Sequence, residues 1–219
     1  MNGLELFLAE NTIVSKLKKL LSHAVLLYEK SLYPQCTKVL FKAKKIAYGD
    51  EKYLQILEII SWEKKLAQVE RFIKKSAHNI NDIIKEEEYI SQKLAVENKF
   101  SAVKYILSQH FRLNNVARNL KEINAYKKII GALPIPKQGI VSSAQAGDLF
   151  PIENKEISLN AKSDFYSIYG LFYFAVGDLT NSYTFFRKNV DLFEKYSEKL
   201  QEQTESHLTA LSNYYLMCM

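Results

Sequence analysis

The chain has 219 residues, of which 47% are apolar and 25% charged, a balance that excludes wholesale disorder. Seven glycines and four prolines are too few for the frequent turns of a β-sandwich or barrel, so the fold class expected is all-α. The net charge of +6 is uneven: residues 1–130 hold 23 basic and 14 acidic side chains, residues 131–219 hold 7 and 10.

Residues 12–31 place Ile13, Leu17, Leu20, Ala24, Leu27 and Tyr28 at three- and four-residue steps, the stripe of an amphipathic helix. Pro34 suits the first turn of a second helix, whose inward positions are Cys36, Leu40, Ala43 and Ala47 and whose end is Gly49-Asp50. A longer helix is expected from about Glu51, with Tyr53, Ile56, Leu57, Ile60, Leu66, Val69 and Ile73 buried. After a break and cap at 79–82, separate helices are expected over about 82–97 and 99–111. Asn114-Asn115 would then cap another that carries Val116, Leu120, Ile123 and Ile130.

Residues 131–157 hold three of the seven glycines and three of the four prolines. That content predicts a long connection over the surface, pinned by Leu149-Phe150-Pro151-Ile152, with a partner-binding loop as the alternative. Beyond it a helical pair is expected over 159–176 and 179–196, turning at Val176-Gly177-Asp178. A last helix follows from about Glu198, and it presents Leu208, Leu211, Tyr215 and Met217. That apolar face predicts a further helix to cover it, and hence a longer protein. The chain thus divides into a helical array over 1–130, the connection 131–157 and a C-terminal part over 158–219.

Chemistry-bearing motifs are scarce. No phosphate loop, His-Glu-x-x-His, Gly-x-Ser-x-Gly or Cys-x-x-Cys is present. Cys36 and Cys218 stand far apart, and Cys36 falls at a core position where burial is expected over reactivity. His78 and Asp82, four apart, read as a hydrogen-bonded or solvent-facing pair. Glu86-Glu87-Glu88 reads as a solvated face, since successive helical residues diverge by about 100°. Trp62 is compatible with either face of its helix. The nine aromatic residues between Phe165 and Phe186 read chiefly as core. No catalytic residue, metal site or cofactor is expected, and the chain does not read as an enzyme. The longest apolar run, residues 168–176, is too short to cross a bilayer, so no membrane partner is expected. The first residues, Met1-Asn2-Gly3-Leu4-Glu5, lack the basic start of a secretory signal, and a cytoplasmic setting is expected.

Residues 163–196 read Tyr166-x-x-Tyr169-Gly170-x-x-Tyr173, then Gly177-Asp178-Leu179, then Ser182-x-x-x-Phe186. Residues 17–50 carry the same template in Leu20, Ala24, Leu27-Tyr28, Tyr33, Cys36, Leu40 and Ala43, 146 residues earlier. Both segments resemble a tetratricopeptide repeat, in which small residues let two helices approach and large ones fill the flanks. Residues 32–48 also look like uncharacterised bacterial proteins of this tetratricopeptide-like type. The resemblance implies antiparallel helical hairpins stacked as a TPR-like right-handed array, with irregular longer helices in the middle, over 51–130. It implies a non-catalytic scaffold that mediates protein–protein interaction.

In the family members that clasp a carboxylate, the groove positions carry Lys, Asn and Arg. The matching positions here are Leu21, Val25 and Glu29, and Ser167, Leu171 and Ala175, with Tyr28 and Phe174 beside them. Such a groove would take an apolar segment or another helix of the same chain, not an acidic terminus. Leu21, Val25, Tyr28, Leu171 and Phe174 are therefore the candidate groove contacts. The cluster Lys38, Lys42, Lys44 and Lys45 reads as a solvated helix face or as a basic patch for nucleic acid. Nucleic-acid binding is the alternative function. A third reading is the helical sensor or oligomerisation region of a larger regulator, which makes a second copy of the chain a further candidate partner.

Overall fold

Capping residues set where the helices begin. In this computed structural model, which describes residues 12–73, 80–133, 157–197 and 204–218, Thr12 Oγ1 accepts from the Ser15 N–H at 3.1 Å and starts α1 (Ile13–Glu29). Pro34 sits in the first turn of α2 (Tyr33–Gly49), where no amide donor is needed. Then come α3 (Tyr53–Ile73) and α4 (Ile80–Asn114). Asn119 caps α5 (Leu120–Ile130) by accepting from the Glu122 N–H, and Glu122 reaches back to the Arg118 N–H. Ser158 caps α6 (Leu159–Ala175) and Asp178 caps α7 (Leu179–Lys195); α8 covers Thr204–Cys218. Among the described residues every regular element is a helix, as the low glycine and proline content predicts.

Two expectations are corrected. The helices expected over 82–97 and 99–111 are one helix, α4, because the sequence between them holds no glycine or proline to break it. The cap expected at Asn114-Asn115 lies instead at Asn119; Asn115 adopts φ 58° in the link between α4 and α5, where Val116 is left exposed. The chain divides into two compact units, one up to Leu94 and the other from Ala95, and the boundary falls within the sequence of α4. Residues 134–156, which include most of the expected connection and its apolar anchor, lie outside the described residues, as does His78.

In the first unit, Leu17, Ala24, Cys36, Leu40, Ile56 and Ile60 form the centre of a core shared by α1, α2 and α3. The first half of α4 adds Ile83 and Ile90 to it. In the second unit, Phe100 and Leu107 from the second half of α4 join Tyr126, Phe165, Tyr166 and Phe193. The aromatic residues between Phe165 and Phe186 are mostly core: Phe185 stacks on Tyr169 and Tyr173 at 5.3 and 5.5 Å between ring centroids.

The hairpins α1–α2 and α6–α7 repeat one another at a constant offset of 146. Their helices have the same lengths and their N-caps, Thr12 and Ser158, correspond. The turns correspond bond for bond: the N–H groups of Lys30, Ser31 and Leu32 donate to Leu26, Tyr28 and Leu27, while Val176, Gly177 and Asp178 donate to Phe172, Phe174 and Tyr173. Ser31 and Gly177 both take a left-handed conformation, φ 59° and 83°. Inside each hairpin a small residue of the second helix bonds to a small residue of the first. The Cys36 thiol donates to the Ala24 carbonyl at 3.2 Å, and the Ser182 hydroxyl to the Gly170 carbonyl at 2.9 Å. One chain therefore builds one local structure twice from different residues.

Candidate interaction surfaces

The positions expected to line a groove are for the most part filled by the chain itself. Leu21 is buried in the first core, four residues after Leu17 on the same inward face. Val25 is half-buried. Tyr28 is half-buried and holds its ring edge-on against Tyr33 and Trp62, at 5.6 and 5.5 Å. Trp62 in turn carries Lys65 Nζ at 3.7 Å from its ring centroid.

In the second unit, Leu171 is half-buried against the core, and Phe174, also half-buried, meets Phe111 of α4 edge-on at 5.6 Å. The second half of α4 is tied to this face of α6 by polar contacts as well. Asp164 accepts from Ser101 Oγ at 2.6 Å and pairs with Lys104, and Glu97 accepts from Ser158 and Asn160 at 2.8 Å each. The groove side of α6 is thus occupied by a helix of the same chain. The buried Asn189 donates to Ser167 Oγ at 3.0 Å, and its own carbonyl oxygen has no partner among the described residues.

The lysine cluster divides. Lys44 is half-buried and bridges two carboxylates, Glu63 of α3 and Glu86 of α4, at 2.7 Å each. Burial works against its charge, but the bonds to Glu63 and Glu86 outweigh it and hold the Lys44 pKa above the usual lysine value. Tyr48 donates to the other oxygen of Glu86 at 2.5 Å, and burial together with that carboxylate pushes its phenol well above the usual tyrosine range. Lys64 pairs with Glu87 at 2.6 Å. Glu86 and Glu87 are therefore ion-pair partners rather than a merely solvated face, and Lys44 contributes no free charge to a basic patch. Sequence reasoning missed this knot because its members lie 19 and 42 residues apart.

Lys38, Lys42 and Lys45 stay exposed, and no carboxylate among the described residues pairs with them. Between them lies Phe41, whose surface is 71% exposed. Positions 38, 41, 42 and 45 fall at i, i+3, i+4 and i+7, so one outer stripe of α2 carries three cations around an aromatic ring. Next to the stripe a cavity of about 330 Å³ opens between α2 and α3, lined by Thr37, Lys38, Leu40, Phe41, Glu63 and Leu66. Phe41 is out of phase with the inward positions 36, 40, 43 and 47, and that mismatch is the sequence signal that marks it as an outward aromatic.

On α8 the expected apolar face is present: Leu208, Leu211 and Tyr215 are exposed. Met217 is not part of it. It is half-buried, with its sulfur 3.4 Å from Ser182 Oγ. Among the described residues no three His, Cys, Asp or Glu side chains gather where they could hold a metal ion. No helix there is long and apolar enough to cross a membrane.

Comparison with protein-family models, with curated proteins and with solved structures finds no match to this chain.

Proposed function

We propose that the chain is a non-catalytic helical scaffold, built from tetratricopeptide-like hairpins, that holds another protein. The observation that carries this reading is the recurrence of one hairpin at an offset of 146, with a hydroxyl cap on the first helix, the same turn bonds and the same small-residue bridge. A chain that repeats a packing unit is selected for a surface, because stacked hairpins create extended helical faces rather than a single enclosed site. The longer helices α3 and α4 are then the irregular middle of such an array. A second reading, nucleic-acid binding, rests on Lys38, Lys42 and Lys45 of α2, with which no carboxylate among the described residues pairs.

Affinity capture with the tagged full chain, treated with nuclease and followed by mass spectrometry, tests the proposal. A protein that survives nuclease and rebinds the purified chain directly supports the scaffold. Loss of every captured protein on nuclease treatment, with direct binding of the purified chain to nucleic acid, supports the second reading instead.

A further inference from the structure

We propose that the outer face of α2 with the adjoining α2–α3 cavity is a docking site for an acidic amphipathic helix, which inserts an apolar side chain beside Phe41. The proposal rests on the scaffold reading and names the chemistry of one partner. Three features argue for that occupant. The cavity, about 330 Å³, is at the small end of the range for specific pockets, roughly 300–1,000 Å³, and so suits a side chain rather than a large ligand. Its apolar wall is Leu40, Phe41 and Leu66, of which Phe41 stands largely in solvent although it is a large aromatic. Its rim is basic: Lys38, Lys42 and Lys45 have no ion-pair partner among the described residues.

The local charge is decided by Lys44. Glu63 also lines the cavity, and a bare carboxylate there would repel an acidic ligand. Lys44 sits 2.7 Å from it and is shared with Glu86, so that cluster keeps one net negative charge against the three positive charges of Lys38, Lys42 and Lys45, and the cations that face outward set the sign of the field. Helix α2 itself has no acidic residue. From Lys38 to Lys45 the stripe runs about 10 Å along the helix axis, enough to face two turns of an opposing helix. Acidic residues on the flanks of that helix would meet the lysines while its central apolar residue enters the cavity. Nucleic acid fits less well, because three cations neutralise few phosphates and the aliphatic wall offers Phe41 as its single stacking ring.

The test uses the full chain and a blocked, dye-labelled peptide of about 15 residues with Leu and Phe on one helical face and Glu on its flanks. Three controls accompany it: the peptide with Lys for Glu, the peptide with Ala for Leu and Phe, and a duplex DNA of similar net charge. Fluorescence anisotropy should show micromolar binding of the acidic peptide and none of the Lys peptide. Phe41→Ala and the triple variant Lys38→Glu, Lys42→Glu, Lys45→Glu should each weaken it by about tenfold or more, as should removal of the peptide's apolar face. All four positions are exposed, so an unchanged urea midpoint certifies that the variants fold. Equal binding of acidic and Lys peptides, or indifference to Phe41→Ala, would overturn the proposal. So would a duplex that binds more tightly than the peptide and responds to the lysine changes alone. If a protein found by capture still binds the triple variant, this site fails while the scaffold reading stands.

Discussion

Phe186 fills the space that a side chain on Gly170 would need: a Cβ placed there would meet the ring's Cε1 at 2.5 Å. The equivalent pair in the first hairpin is Ala24 and Leu40, both buried, where a smaller partner leaves room for a methyl group. Volume is exchanged across the helix pair, and the total is kept. Gly170→Ala should gain about 0.5–1 kcal/mol from helix propensity and lose about 1–3 kcal/mol by overpacking, for a net destabilisation. Gly170→Ala with Phe186→Leu, which copies the first hairpin, should recover most of that loss. Urea titrations of the single and double variants check this. A Gly170→Ala protein as stable as its parent would refute the exchange.

Lys44 holds two carboxylates from two other helices, so its loss strands both. Lys44→Ala should cost about 2 kcal/mol, as expected when hydrogen bonds to charged groups are removed. Lys42→Ala, on the exposed stripe, should stay within about 0.5 kcal/mol of the parent. The same denaturant titration compares them, and equal effects would show that Lys44 is as dispensable as a surface lysine.

The two cysteines should separate cleanly by reactivity. Cys36 is buried, burial pushes its thiol pKa up, and the thiol is engaged with the Ala24 carbonyl; Cys218 is exposed. Under native conditions iodoacetamide should modify Cys218 alone, with Cys36 following only in denaturant. Peptide mass mapping reads the sites, and rapid native labelling of Cys36 would contradict its placement.

Alkaline pH should weaken the fold. Burial raises Tyr166 and Tyr169 to about 12, and the phenol of Tyr48 and the ammonium of Lys44 are also held above their usual values. The folded chain thus keeps protons that the unfolded chain gives up near pH 10–10.5, roughly the ordinary values. Their contribution is fully present below about pH 10 and is lost as pH rises through the folded-state values. Urea midpoints should fall between pH 9 and pH 11.5, and a midpoint that stays level or rises would reverse the sign.

The local parts of this fold were legible in the chain and the distant parts were not. Pro34, Gly49 and Gly177 mark helix ends through their own backbone chemistry, and the helices end close to where those residues place them, whereas the caps Thr12 and Ser158 are not picked out by the apolar spacing. The inward role of Cys36, Leu40, Ala43 and Ala47 follows from spacing alone. The break expected between the helices over 82–97 and 99–111 is absent: Asn98 is exposed, and a helix tolerates a polar residue that faces water. The division inside α4 and the partners of Lys44 depend on which elements meet, and no periodicity records that.

The most direct test of the scaffold reading is the salt dependence of binding, measured by calorimetry with the captured protein and, in parallel, with a duplex of about 20 base pairs. Binding of the protein should weaken by no more than about tenfold between 50 and 200 mM salt, because apolar contact is not screened. The duplex should bind weakly and fade over the same range. A duplex that binds more tightly than any captured protein near physiological salt would contradict the scaffold and make this a nucleic-acid-binding chain.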